Sequence, residues 1–229
     1  MQKIIVVFKE PLVLGAAGSD RARAIVDQLR TFPLGHCVGI TAHIKTGELA
    51  GDLLPAGSFD LSIACALSLW VPSSEDVAAL LQPLRSIGIP DAIYSVVEST
   101  PRDYSAVHWK EGERSPGATL FAMFNRRQEL TREAFLTLWQ DHTAISLRFH
   151  PLIKYHRNAV ARRLSAGGAD WDGIVEERVA EVADLTPERW FIGTGAREKA
   201  VASMHRFVDT PGMRCGLLEE FIVRKPPWL

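Results

Sequence analysis

The sequence predicts an α+β chain of two successive halves that share one element order, βαββαβ, with their sheets covering one another. Short β-branched runs such as "KIIVVFK" (3–9) and "AIYSVVEST" (92–100) have the composition of largely buried strands. Stretches with apolar residues at i, i+3, i+4 and i+7 lie between the strands and read as amphipathic helices. The whole order then recurs once, after a polar stretch near the middle of the chain.

In the first half "KIIVVFK" is followed by "SDRARAIVDQLRTF", where Ser19 is the expected N-cap and Ala22, Ile25, Val26 and Leu29 share a helical face. "CVGITAHIK" (37–45) and "FDLSIACALSLW" (59–70) are strand-like runs separated by a loop with Gly and Pro. "SSEDVAALLQPLRSIG" (73–88) places Ser73 or Ser74 before an acidic first turn and an apolar stripe, so a second helix is expected, and "AIYSVVEST" ends the half as a strand. "PRDYSAVHWKEGERSPG" (101–117) is polar, carries Pro and Gly, and shows neither period.

Beyond it "ATLFAMFNR" (118–126) is a strand and "TREAFLTLWQDHTAISLRF" a helix. "LIKYHRNAVARRL" (152–164) and "DGIVEERVAEV" (172–182) are strands, "TGAREKAVASMHRFV" (194–208) a helix, and "CGLLEEFIVR" (215–224) a closing strand. A split pair of βαβ units gives a four-stranded antiparallel sheet with both helices on one face, the ferredoxin-like arrangement. The other face is bare, and two such sheets can cover each other within one chain. The expected division is 1–104, a linker at 105–117, and 118–229, with ligand space between the sheets.

A chain of 229 residues with 47% apolar residues can bury a substantial core. Its 26 basic and 27 acidic residues leave a net charge of -1, with no general pull toward nucleic acid or anionic membrane. The expected partner is therefore a small-molecule substrate, and a homodimer is compatible with the fold. Cys37, Cys65 and Cys215 are widely spaced, as in a reduced protein, and no run reaches the ~18 apolar residues of a membrane span. Since the start "MQKIIVVFKE" lacks the pattern of a signal peptide, a cytoplasmic location is expected.

No spacing of His, Cys or carboxylates suggests a metal site, and dinucleotide, P-loop and serine-hydrolase motifs are absent, so neither metal nor organic cofactor is expected. "GAAGSD" (15–20) could cradle a phosphate by backbone donors, although a turn feeding a helix explains it as well.

His142 draws attention because it falls in an apolar stripe with Phe135, Leu138, Trp139 and Ile145. Such a histidine is either a hydrogen-bonded core residue or a general acid/base facing a cavity. In "IKYHRNAV" Tyr155 and Arg157 share one strand face, and His156 and Asn158 the other. Only one pair can face the space between the sheets, and the sequence leaves open which. In "IVEERVAE" Glu176 and Arg178 alternate with Val175, Glu177 and Val179. Glu176 and Arg178 are either exposed, the commoner outcome, or paired inside a polar cavity.

"FNRRQELTREAFLTLWQDH" has Phe135, Trp139 and His142 at the F-x-x-x-W-x-x-H spacing of the EthD family of dimeric α/β barrel proteins. "YHRN" (155–158) resembles that family's Tyr-x-x-Asn, and "WDGIVEERV" its Asp-Gly-Ile strand, so the second half resembles the family from about Ala118 to Arg224. One departure is that the family's third strand is usually apolar and aromatic, whereas here it reads Glu176, Glu177, Arg178. The first half looks like a diverged copy without the motif, and the resemblance implies that the two ferredoxin-like halves pack sheet to sheet as an α/β barrel. The resemblance implies a cofactor-independent lyase, isomerase or dehydratase acting on a small aromatic or polyketide-like catabolic substrate. In that reading His142, Tyr155 and His156 are catalytic, and Phe121, Trp139, Asn158, Glu176 and Arg178 contact substrate. The alternative is a noncatalytic small-molecule binding or accessory protein. His142 is expected to reach the space between the sheets.

Overall fold

A computed structural model describes residues 1–9, 12, 18–31, 37–47, 58–59, 63–73 and 77–226. Residues 15–17 of the phosphate cradle considered at 15–20, and the alternative cap Ser74, lie outside these residues. The first half contains β1 (Gln2–Lys9), α1 (Ser19–Arg30), β2 (Gly39–Ile44), a short β3 (Ser58–Phe59), β4 (Ile63–Val71), α2 (Val77–Leu84) and β5 (Ala92–Arg102). The second contains β6 (Ala118–Phe124), α3 (Arg132–Phe149), β7 (Leu152–Arg163), β8 (Gly173–Val179), a one-turn α4 (Pro187–Trp190), α5 (Ala196–Met204) and β9 (Arg214–Arg224).

Each half forms an antiparallel sheet, ordered β2-β4-β1-β5 and β7-β8-β6-β9, so the expected βαββαβ pattern holds in both. The sheets also join edge to edge. β5 pairs with β7 through Val97↔Ala159 and its neighbours, and β2 pairs with β9 through Ala42↔Phe221. Eight strands thereby close into a barrel, which removes the open edges that separate sheets would expose. α1 begins at Ser19 itself, with Gly18 as N-cap at φ 92 and no side-chain cap, so Ser19 does not play the capping role expected of it. α2 stops at Leu84 rather than near Gly88, where a hydrogen-bonded turn from Ile87 N–H to Leu84 O takes over.

Strand alternation divides the buried residues into three layers. Outward faces of the first half pack Ile4, Val6, Phe8, Ile40, Leu67 and Leu69 against Ile25, Val26 and Leu29 of α1. Outward faces of the second pack Leu120, Ala122, Phe124 and Val175 with Phe135 and Trp139 of α3. Inside the barrel, Ile5, Val7, Tyr94, Phe121, Met123, Ile174 and Leu218 fill one end. The other end is charged.

There Lys3 Nζ donates to Glu98 and Glu176, each at 2.7 Å, and Lys154 Nζ to Glu220 at 2.6 Å. His156 sits between Glu98 (Nδ1, 3.0 Å) and Asp103 (Nε2, 3.2 Å), while Arg178 donates to Thr119 at 2.9 Å and to the Ser115 carbonyl at 2.7 Å. The connection between the halves covers this mouth, since the Tyr104 hydroxyl donates to Glu220 at 2.6 Å and Ser115 N–H to the Glu220 carbonyl at 2.8 Å. The stretch that reads as a polar linker thus anchors Tyr104 and Ser115 over this mouth, while most of its other residues are exposed or half-buried.

Candidate functional site

The barrel wall separates the residues singled out from the sequence into two compartments. His156, Asn158, Glu176, Arg178 and Phe121 face the interior, and all are buried. Trp139, His142 and Tyr155 lie on the outer side, between the second sheet and its helices. Tyr155 and Arg157 therefore face the helices, and Arg157 donates to Thr143 of α3 at 2.7 Å. Glu176 and Arg178, for which exposure was the commoner expectation, are 1% and 0% exposed. The reason is closure of the barrel, which buries both faces of β8, so that ion pairing inside is the only tolerable state for these charges.

The outer compartment contains a cavity of about 330 Å³, within the range of small-molecule sites. Its floor is Leu120, Ala122 and Phe124 of β6, Tyr155 of β7, Val175 and Glu177 of β8, and Cys215 of β9. Trp139 and His142 of α3 form one wall and Trp190 of α4 another. α5 roofs it with Arg197, Ala200, Val201, Met204 and His205, a stripe at i, i+3, i+4, i+7 and i+8. His142 reaches this cavity, not the space between the sheets. The expectation placed the His142 side chain on the wrong side of the sheet, because α3 presents its buried face to the sheet's outer surface.

α3 is built locally by Thr131, whose hydroxyl accepts from Ala134 N–H at 3.2 Å, and by Phe135, Trp139 and His142 succeeding one another along its buried face. The T-shaped contact of Phe124 with Trp139, at 5.1 Å between centroids, fixes the indole and leaves the imidazole one turn further on. His142 Nδ1 lies 3.0 Å from Ser203 Oγ of α5. With the hydroxyl donating to Nδ1, the neutral ring carries its proton on Nε2. Burial, then the nearby His150 and Arg157, brings His142 down to about 4, so it is uncharged at neutral pH. His150, stacked on Trp190 at 4.5 Å, is likewise brought down to about 4 by burial.

Glu177 was not singled out from the sequence, and it completes the set. Its carboxyl lines the cavity floor with no cation or hydrogen-bond donor against it among the described residues, and burial pushes it up to about 7. Burial and then the Glu177 carboxylate push the Tyr155 phenol upward, so it stays a donor. The signal was present in "IVEERVAE": a carboxylate between Val175 and Val179, on a face that must meet helices, is the anomalous residue of that strand.

The cavity thus offers the Glu177 carboxyl poised near neutrality, the Tyr155 phenol and the neutral imidazoles of His142 and His150, on aromatic walls. This set can take a proton and stabilise oxygen charge. No group of His, Cys and carboxylates able to hold a metal ion occurs among the described residues.

No protein-family model and no curated protein matches the chain. Solved structures do. An anthrone oxidase-like protein is 11% identical, with a TM-score of 0.60 over 98% of this chain and 94% of that one. A candidate monooxygenase from Fusobacterium nucleatum is 7% identical, with a TM-score of 0.52 over 97% and 92%. Chlorite dismutase from Candidatus Nitrospira defluvii, in complex with imidazole, is 12% identical, with a TM-score of 0.50 over 97% and 91%. These likenesses establish the fold class, a dimeric α/β barrel built here from two ferredoxin-like halves of one chain.

Proposed function

We propose that the chain is an EthD-like, cofactor-independent enzyme, a lyase, isomerase or dehydratase, that moves a proton on a small aromatic or polyketide-like ketone held in the outer cavity of the second half. One observation carries the reading: the unpartnered Glu177 carboxyl shares an aromatic-walled cavity with Tyr155 and His142. Glu177 takes the proton from carbon next to the carbonyl. The C–H electron pair moves into the enolate, whose oxygen accepts a hydrogen bond from the Tyr155 hydroxyl or His142 Nε2–H. Return of the proton to another carbon gives an isomer; expulsion of a β-hydroxyl that takes the proton back from the Glu177 carboxyl gives water and an α,β-unsaturated ketone. In this assignment His156, Asn158, Glu176 and Arg178 hold the barrel together and do not touch substrate. The structural neighbour named as anthrone oxidase-like is compatible with a ring-sized substrate.

2-Tetralone in deuterated buffer tests this. The protein is expected to accelerate α-hydrogen exchange, read by NMR, with a rate that rises through a midpoint of about pH 7 as Glu177 ionises. Glu177→Gln should bind the ketone yet leave exchange at the buffer rate. Binding without exchange by the native protein would favour the noncatalytic carrier instead.

A further inference from the structure

We infer that the ligand of the outer cavity carries an anionic oxygen group, such as a carboxylate, and that Arg197 at the cavity's rim recognises it. This rests on the outer cavity being the small-molecule site proposed above, and it adds what the ligand must present at its solvent end.

The charges of the lining are arranged by depth. Tyr155, His142 and Glu177 lie at the floor and inner wall, where burial works against charge on each of them. Arg197 is the one permanent cation among the described lining residues, and it stands in the exposed first turn of α5. It makes no ion pair or hydrogen bond with any described residue. Other arginines of the second half are engaged: Arg127 with Glu129, Arg126 with Asp172, and Arg189 with Glu181 and Asp184. Glu198, its neighbour, has no contact with it either, being about 100° away around the helix.

A guanidinium offers several donors in a plane and suits a carboxylate two bonds at a time. Placed over the mouth of an apolar chamber, it favours a molecule with a ring-sized body inside and an anionic head at the rim. A cationic head would meet Arg197 instead, and a neutral one would leave it unused. Such an orientation also points the body's far end at Glu177 and Tyr155, so Arg197 would set both specificity and register.

Isothermal titration with a matched pair tests the assignment: 1-naphthaleneacetate and 2-(1-naphthyl)ethanol share the ring and differ in the head. The native protein should bind the carboxylate about tenfold more tightly, the worth of one charge-assisted bidentate contact. Arg197→Gln should bring the two affinities together by weakening the carboxylate alone, and Arg197→Lys should restore part of the gap. Ala200→Trp, which fills the chamber, should abolish both if the rings bind there. Equal affinities in the native protein, or a preference that survives Arg197→Gln, would overturn the inference while leaving the cavity reading intact. Failure of both compounds to bind, or binding unaffected by Ala200→Trp, would overturn the cavity reading and the inference with it.

Discussion

Glu176 and Glu177 are neighbours in sequence and opposites in state, because successive side chains of a strand point to opposite faces. Burial disfavours the charge of each. Around Glu176 that effect is outweighed by Lys3, His43, Lys154 and His156, which hold the carboxyl well below the usual range. Glu177 has no such company, and burial alone sets it at about 7. Its unfolded value lies near 4.5, so between pH 4.5 and 7 the folded state holds a proton that the unfolded state has lost. Stability attributable to this carboxyl therefore falls as pH rises through that window. Because Glu177 is only half-buried at the cavity floor, Glu177→Gln should gain about 1–2 kcal/mol over the native protein at pH 8 and almost nothing at pH 4, measured by urea unfolding. A constant difference at both pH values would mean that Glu177 is paired. His142 runs the other way: below pH 6.5 the unfolded chain takes up a proton that the folded site refuses until about pH 4. His142→Ala should thus cost less at pH 5 than at pH 7 and should abolish ligand binding or turnover. Phe135→Ala, a core truncation, should cost about 3–5 kcal/mol at either pH. If the histidine variant unfolds the protein as badly as the phenylalanine variant, the imidazole is a core residue and no more.

Among the elements, those with strong period and clear caps were the most legible in the sequence. α3 runs Arg132–Phe149, almost where its apolar stripe and Thr131 put it, and β7 and β9 agree as closely. Thr131→Ala should cost about 1 kcal/mol, since its hydroxyl satisfies one of the open N–H groups of the first turn. Hydrogen exchange at Ala134 would show the loss locally, and an unchanged Ala134 would mean that water replaces the cap. Between β8 and α5 the sequence reading failed, and the cause is physical. This segment holds only a single 3-10 turn (Val182–Leu185) and the one-turn α4, too short to impose a period, and both are held by contacts remote in sequence. His150 Nδ1 meets the Trp190 carbonyl at 3.1 Å, and Ile192 N–H donates to the Phe149 carbonyl at 2.8 Å. Such bonds seat Trp190 in the cavity wall, and no window of eleven to eighteen residues contains both partners. α5 has a related difficulty. Its cavity-facing stripe includes Arg197 and His205, so the hydrophobic pattern that marks a packed helix is interrupted where the helix roofs an opening.

At the scale of the whole molecule, the tandem βαββαβ order made the two sheets legible and the family resemblance supplied the barrel, as the structure shows; which strand edges join to close it was not legible. That closure explains the charged layer. A strand covered on one face shows which residues are inside; in a closed barrel with helices outside, both faces are buried, and alternation no longer distinguishes them. The interior ions then become a joint between the halves: Lys3 of β1 meets Glu176 of β8, and Glu98 of β5 meets His156 of β7. Lys3→Met tests the joint, because it removes the cation shared by Glu98 and Glu176, both within the barrel wall. The buried Glu176 and the half-buried Glu98 would lose their main partner, so a loss of about 3–5 kcal/mol is expected at pH 7. Acidification should narrow that loss. In the native protein Glu98 is brought to about 2 and Glu176 well below the ordinary range, since Lys3 and its neighbours outweigh burial. Their contribution is complete above the unfolded value near 4.5 and disappears as pH falls toward 2. Without Lys3 the folded values rise, and protonation near pH 4 relieves the buried charge that made the variant unstable. Unfolding curves of the two proteins should therefore lie far apart at pH 7 and approach one another at pH 4. Adding Glu176→Met to Lys3→Met should recover much of the stability, because the pair is then replaced by apolar groups that fit the neighbouring layer of Ile5, Phe121 and Ile174. Stability that does not change in the single variant, or a gap that widens in acid, would show that the halves are held by their strand edges and apolar layer alone.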